Sequence, residues 1–293
     1  MEYLAAKTLI SSVKGKHWFG IDFGMNIYKG CSHGCIYCDS RSECYRIDNF
    51  DRVRTKENAI EIIVNDLKRK RKKGVIGTGG MSDPYNPVES HLQLTREALK
   101  VINENHFGIS IATKSPLVKR DIDYLMEIKK HSPVIIEMTI TTADDELSKK
   151  IERNVPVTSE RFKAIKELSD NGIYCGILLM PILPFINDTE ENILEIIRLA
   201  KENGAKFIYP YFGVTLRTNQ RDYFFQQLDR DFPGLKKRYW KTYGNQYHCN
   251  SPKAEHLFEL FIKECERLDI HYKMSDIIAD YQKGYGFTQL SLF

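Results

Sequence analysis

The sequence has no long apolar run, no internal repeat and no low-complexity segment. Its longest apolar stretch, roughly Tyr174 to Ile186, is too short to span a membrane and holds Pro181 and Pro184. The opening residues, MEYLAAKTLI, lack the basic start and long apolar middle of a secretory leader. These absences predict a soluble cytoplasmic protein. An excess of one charge is also missing: 43 Lys and Arg against 39 Asp and Glu leave +4. Nucleic acid is therefore permitted as a partner but not demanded. Paired cysteines are lacking too, because seven is an odd count and argues against a pure disulfide framework.

The 293 residues are 42% hydrophobic and 28% charged, which is the balance of a folded chain. That length allows two average domains, or one barrel with an appendage. From residue 56 to about 212, helical and strand patterns alternate. Glu57 to Lys72 reads as a helix with Ile60, Ile62, Ile63 and Leu67 as its apolar stripe, and Gly74 stops it. A short strand from Val75 follows. Helix–strand pairs then recur: Thr95 to Asn105 before Gly108 to Thr113, and Ile122 to Lys130 before Pro133 to Thr142. Thr158 to Asn171 precedes Gly172 to Pro181, and Thr189 to Asn203 precedes Ala205 to Phe212. With a strand near Asp22 to Tyr28, about six strands result.

This rhythm implies parallel strands joined by helical crossovers. One parity of the fourth strand holds Glu137, Thr139 and Thr141, and the other holds Ile136, Met138 and Ile140. A polar face opposite an apolar one suits a barrel strand with a polar lumen, not a sheet covered on both faces. The predicted fold is α/β: a partial (β/α)6 TIM-type barrel with a C-terminal, mostly helical extension. The expected division is a core at 1–215 and an extension at 216–293 that ends in a tail peptide.

Cys31, Cys35, Cys38 and Cys44 lie within fourteen residues, while Cys175, Cys249 and Cys265 are scattered. Cys175, inside the fifth strand, reads as a small buried hydrophobe. The segment Gly30-Cys31-Ser-His-Gly-Cys35-Ile-Tyr37-Cys38 contains C-x3-C-x2-C. It follows the first strand, at the end of a barrel where such folds place their chemistry. Three thiolates on one loop can ligate three irons of a four-iron cluster and leave the fourth iron open to a chelating ligand. The alternative is a zinc site made by these cysteines with His33 or Cys44. Cys44 is also a candidate fourth iron ligand, although a spare thiol is the simpler reading.

The cysteine spacing, with aromatic Tyr37 before the third cysteine, resembles the radical S-adenosylmethionine (SAM) superfamily. The resemblance implies two cofactors: a [4Fe-4S] cluster held by Cys31, Cys35 and Cys38, and SAM chelated by the open iron. It also implies reductive cleavage of SAM to a 5′-deoxyadenosyl radical that abstracts hydrogen from substrate. An electron donor such as flavodoxin or ferredoxin would be a partner. The stretch Gly77-Thr-Gly79-Gly80-Met-Ser82-Asp83 follows the second strand, where superfamily members carry glycines that meet the methionine amino group of SAM. The implied cofactor-binding set is Tyr37, Gly79, Gly80, Ser82, Lys114, Thr139 and Thr141, with the two threonines placed for the ribose.

The cysteine loop, the Ser82-Asp83 pair and the lysine of Thr113-Lys114-Ser115 are together similar to the spore photoproduct lyase branch. That likeness spans about Asn26 to Arg217. Photoproduct lyases place a hydrogen-donating cysteine just ahead of the serine–aspartate pair. Here Gly79-Gly80-Met81 offers no thiol, so the resemblance implies a lyase-like relative with another hydrogen donor. Cys44, Cys249 and Tyr85 are the candidates.

Two further segments bear on partners. Lys68 to Lys73 is a run of six cations at a helix C-terminus, where positive charge is favourable and a solvated helix end is the simplest reading. Residues Arg217 to Tyr247 interleave Arg221, Arg230, Lys236, Lys237, Arg238 and Lys241 with Tyr223, Phe224, Phe225, Tyr239, Trp240 and Tyr243. Cations can track phosphates and aromatics can stack on extruded bases, or the segment can close the barrel as an aromatic helix pair. The last five residues, Gln289, Leu290, Ser291, Leu292 and Phe293, resemble the peptide by which bacterial proteins bind the DNA sliding clamp. DNA and the clamp are thus candidate partners, with no membrane. The expected function is radical SAM chemistry that is lyase-like, in DNA lesion repair or base modification. The alternatives are radical SAM chemistry on a small molecule or protein, and a DNA-associated binding protein with a structural metal centre.

Overall fold

The computed structural model describes residues 2–15 and 18–286. Short β-branched runs alternate with one-sided apolar helices, and the strands assemble in chain order. They are β1 (Phe23–Met25), β2 (Val75–Thr78), β3 (Gly108–Thr113), β4 (Val134–Thr139), β5 (Tyr174–Leu179) and β6 (Ile208–Pro210). Each pairs in parallel with the next. Five crossover helices separate them: α1 (Ala59–Arg69), α2 (Leu94–Glu104), α3 (Ile122–Lys129), α4 (Thr158–Asp170) and α5 (Glu190–Glu202). This is the partial six-strand barrel that the sequence predicts. One strand of this sheet escaped prediction: Ile10–Ser12 adds antiparallel to β1 as its seventh member. Among the described residues, no helix is long and apolar enough to cross a membrane.

Strand alternation decides which side chains face the lumen. Ile76, Ile109, Ile111, Ile136, Met138 and Ile177 point outward and form one core with Ile63, Leu99, Leu125, Ile165 and Ile196 of the helices. The opposite parity faces inward. At its N-terminal end the lumen is plugged by Phe19, Val75, Ile135, Phe207 and Tyr281 in a second apolar cluster. Aromatic edges close the gap between β1 and β6, with Trp18 and Phe19 at 5.7 and 5.8 Å from Tyr209. Higher up, Gly77, Ser110, Glu137, Thr139 and Leu178 line an open cavity of about 560 Å³. That volume is typical of a ligand pocket.

After β6 the chain forms α6 (Gln220–Asp231), α7 (Leu235–Tyr243) and α8 (Ala254–Arg267). Phe224, Phe225, Tyr239 and Tyr243 are buried with Cys35, Ile36, Tyr37 and Val214 in a third cluster. These aromatics therefore wedge the cysteine loop in place, and of the two sequence readings for this segment the packing one holds for them. Trp240 stays 54% exposed on α7. The basic run after α1 also has a structural role. Lys70 Nζ and Lys73 Nζ donate to the carbonyls of Ile10 (2.9 Å) and Asn105 (2.7 Å). Both lie just ahead of β2, at the barrel end remote from the cavity. The tail from Gln289 to Phe293, which carries the clamp reading, lies outside the described residues.

Candidate active site

The cavity opens at the C-terminal ends of the strands, and the loop after β1 brings Cys31, Cys35 and Cys38 to its wall. The loop is pinned from several sides. Cys31 N donates to the Phe50 carbonyl at 2.9 Å and Ile36 N to the Ile151 carbonyl at 2.9 Å. Gln220 Nε2 donates to the Tyr37 carbonyl at 3.0 Å. His33 Nε2 lies 3.2 Å from Asp83 Oδ2. Asp83 in turn accepts from Thr113 Oγ1 at 2.7 Å and from the Lys114 amide at 2.8 Å. Burial alone would raise this carboxyl, but His33, Thr113 and the Lys114 amide outweigh it and hold it at about 2. Asp83 thus ties the cysteine loop to β3.

A second anchor lies behind Cys35. The Tyr37 hydroxyl donates to Glu152, which is paired with the wholly buried Arg161. Arg161 also donates to the carbonyls of Thr139 and Pro156, both at 2.8 Å, and to Ser148 Oγ at 2.9 Å. A buried guanidinium with a partner on each of its three nitrogens joins the end of β4 to the loop beneath Cys35.

The donor set suits an iron–sulfur cluster. Soft thiols line one wall of a largely apolar cavity. Burial, with Asp83 adding to it, pushes the Cys31 thiol up to about 12. Burial also raises Cys35 and Cys38, with the Lys114 ammonium opposing it at both. Such thiols ionise only against strong positive charge, and a coordinated metal deprotonates them outright. Among the described residues, no three His, Cys, Asp or Glu side chains converge as the ligands of a single ion do. A cubane asks for a different arrangement, because each cysteine holds its own iron and the sulfurs stand apart. The donor set therefore fits a cluster better than the single zinc ion that the sequence left open.

Gly79, Gly80, Lys114 and Thr139 line the same cavity, with Lys114 Nζ 5.8 Å from the Tyr37 ring. Burial depresses the Lys114 ammonium, but Cys35, Glu152 and Asp83 outweigh it and keep the cation charged. The two glycines differ. A Cβ on Gly79 would fall 1.9 Å from the Ala112 carbonyl oxygen, and its φ of +96° is left-handed. A Cβ on Gly80 would meet nothing within 4 Å, so this exposed glycine leaves open space at the cavity rim. Gly80→Ala is expected to fold with unchanged stability and to bind SAM roughly tenfold more weakly, as an intruding methyl costs on the order of 1–3 kcal/mol. Equilibrium dialysis beside a thermal melt separates the two effects. Gly79→Ala should instead lower the melting temperature.

Other expected residues lie elsewhere. Ser82 is buried, and its Oγ donates to the Gly30 carbonyl at 2.5 Å, so it props the cysteine loop and does not line the cavity. Thr141 lies beyond β4, where its carbonyl accepts from Asn187 and Asn192; the parity argument ran past the strand's end. Tyr85 is buried against Asp121 at 3.0 Å and does not reach the cavity. Cys249 is buried in the third cluster. Cys44 is exposed, with Ser42 Oγ at 2.8 Å and Arg217 Nη1 at 3.0 Å, and is not on the cavity wall. Tyr37 lines the cavity, as expected.

Sequence reasoning missed Tyr211, whose hydroxyl sits 3.3 Å from His248 Nδ1 and from Asn250 Oδ1 at the cavity wall. Glu137 was seen only as a mark of parity. It is 1% exposed and accepts from Ser110 Oγ at 2.6 Å. Burial lifts its carboxyl to about 8 from an ordinary 4.5, with Ser110 pulling weakly the other way. A raised carboxyl pKa means that the folded state holds a proton which the unfolded chain releases. Stability from this group is full below about pH 4.5 and falls as pH rises towards about 8. Chemical denaturation across that window should show Glu137→Gln gaining on wild type with rising pH, by a few kcal/mol at the top.

A partial β/α barrel with three cysteines after its first strand and a glycine pair after its second defines a class of cluster-bearing enzyme. A model of the Radical SAM superfamily matches residues 25–200, and the chain belongs to that superfamily. Its members use a [4Fe-4S] cluster and SAM and need an electron donor. An uncharacterized protein of Mycobacterium tuberculosis is 27% identical over 244 residues, covering 81% of this chain and 72% of its own. An uncharacterized protein of Methanocaldococcus jannaschii is 37% identical over 174 residues, which is 58% of this chain and 64% of its own. Among solved structures, spore photoproduct lyase complexed with dinucleoside spore photoproduct superposes with a TM-score of 0.67 at 14% identity, covering 91% of this chain and 78% of the lyase. The radical SAM methyltransferase TsrM from Kitasatospora setae, with tryptophan and a SAM analogue bound, gives 0.55 at 10% identity, over 89% of this chain and 56% of TsrM. At such identities these likenesses speak to fold.

Proposed function

We propose that this radical SAM enzyme belongs to the lyase-like branch and acts on a damaged or modified base in DNA. In this reading Cys31, Cys35 and Cys38 hold the cluster, and Gly79, Gly80, Lys114 and Thr139 hold SAM. Residues 1–215 are the catalytic core, and 216–293 are an extension that clamps the cysteine loop. The observation that carries the reading is the single cavity shared by the three thiols, the open space at Gly80 and the charged Lys114. Cluster and SAM together supply hydrogen-atom abstraction. The chain's own part is to bind both, to aim the substrate and to keep water out.

DNA as substrate is supported by the outer face of α7. Lys236, Lys237, Arg238, Trp240 and Lys241 are all exposed on that one helix. Cations beside an exposed ring suit a phosphate backbone with a stacked base. Nearer the mouth, Arg217 lies 4.8 Å from the Tyr247 ring, two residues after cavity-lining Thr215. The test is anisotropy of labelled single-stranded and duplex DNA at two salt concentrations, with SAM turnover followed in parallel. Salt-sensitive binding that also raises SAM turnover is expected. Turnover indifferent to every DNA, with no salt-sensitive binding, would move the substrate to a small molecule or protein.

A further inference from the structure

Glu137 is an acidic side chain of the cavity lining, on the inward face of β4. Thr139, at the end of β4, marks the level of the SAM-binding residues. Glu137 lies two residues earlier on the same inward face, about 6–7 Å deeper along the strand. Its strand neighbours Ala112 and Gly176 are small, and the Phe207 ring fills the space beside Gly176. Ser110 is its only hydrogen-bond partner among the described residues and engages one oxygen. Beneath it the apolar plug closes the barrel.

A buried carboxyl with a free edge at the bottom of a ligand cavity is costly unless a ligand completes it. Its surroundings decide which ligand. Ile21, Leu178 and Met180 line the cavity around it, and Trp18 stands at the wall. Among the described residues no cation pairs with it, and burial is the main influence on its proton affinity. The same cavity already holds the Lys114 ammonium, which would repel a second cation. An uncharged carboxyl offers an O–H donor beside a carbonyl acceptor. The matching partner is a planar ring edge with an adjacent acceptor and donor, which every nucleobase carries on its pairing edge.

Resting on the base-directed reading above, we propose that Glu137 is the residue that receives the pairing edge of an extruded nucleobase at the floor of the barrel, beneath SAM. Ser110 donates to one lone pair of the acceptor oxygen, leaving its second lone pair and the other oxygen's O–H to face the base. The apolar walls take the ring faces.

The test uses holoprotein, reconstituted under argon with cluster and SAM, in wild-type, Glu137→Gln and Glu137→Ala forms. Cluster absorbance and thermal melts establish that each variant is folded and loaded. Anisotropy compares a short mixed-sequence single strand with an abasic strand of the same length. Wild type should prefer the base-containing strand. Glu137→Ala should lose that preference by roughly tenfold, the worth of one good hydrogen-bonded pair. Glu137→Gln, which keeps a donor and an acceptor without charge, should stay within about threefold of wild type. Unchanged preference in Glu137→Ala overturns the assignment and leaves the base-directed reading standing. Loss in Glu137→Gln equal to that in Glu137→Ala, with putrescine displacing the strand from wild type, overturns it in favour of an amine site. No preference in wild type for bases over the abasic strand overturns the base-directed reading, and the assignment falls with it.

Discussion

Cys35→Ala, purified and reconstituted under argon, is expected to lose its iron and to cleave SAM no faster than a protein-free mixture. Wild type should carry about four irons per chain. The change is expected to be this large because a cubane held at three corners has no spare ligand. Cys35 is buried against the wedge of Tyr37 and Val214, so the cavity left by removing its sulfur costs only modest stability. Circular dichroism should therefore match wild type while the brown colour is gone. A Cys35→Ala protein that still holds four irons would show the ligand set to be wrong, and Cys44, also on this loop, would be the next thiol to remove.

Glu152→Ala should be the most destabilising substitution considered. It strands the Arg161 guanidinium, which has no exposed surface, without its counter-charge. Breaking one side of a buried ion pair costs about 3–5 kcal/mol, because an unpaired charge remains in a dry interior. The melting temperature should fall on the order of 10 °C. The same change frees the Tyr37 hydroxyl, while the backbone bridge between Cys35 and residue 152 is kept. Iron loading should therefore become slower or incomplete in protein that remains folded. Phe162→Ala, on the same helix as Arg161 but in the main core and off this network, is the control. If it melts as early yet loads iron normally, the network acts on the loop. If both load poorly, lower stability alone explains the loss.

The barrel was legible because its signals are local. Each crossover helix carries an apolar stripe, and β2, β3 and β4 are short runs rich in β-branched residues. The alternation at Glu137 and Thr139 located the lumen face, and both residues line the cavity. The cysteine spacing lies within eight residues and needs no long-range partner to be read. What escaped depends on contacts between distant residues. Arg161 reads as an ordinary helix cation until Glu152 and the Thr139 carbonyl are seen to enclose it. Ser82 resembles a ligand residue in sequence, yet its hydroxyl is taken by the Gly30 backbone. Tyr85 was near the glycine loop in sequence, but Asp121 draws its hydroxyl away from the cavity. The aromatic–basic segment divided: rings such as Phe224, Phe225 and Tyr239 turned inward against the cysteine loop. Half-buried Arg221 bonds the carbonyls of Leu216, Gly244, Asn245 and Gln246, and the cations of α7 with Trp240 stayed in solvent. Residue types alone do not resolve that division, because the same rings serve packing and stacking.

Formation of 5′-deoxyadenosine under argon tests the central claim most directly: that the cavity built by the cysteine loop, Gly80 and Lys114 cleaves SAM. Reconstituted wild type with SAM and a strong reductant should release it above the protein-free background, and Cys31→Ala should not. Wild type that carries a full cluster yet releases no more than background would contradict the account.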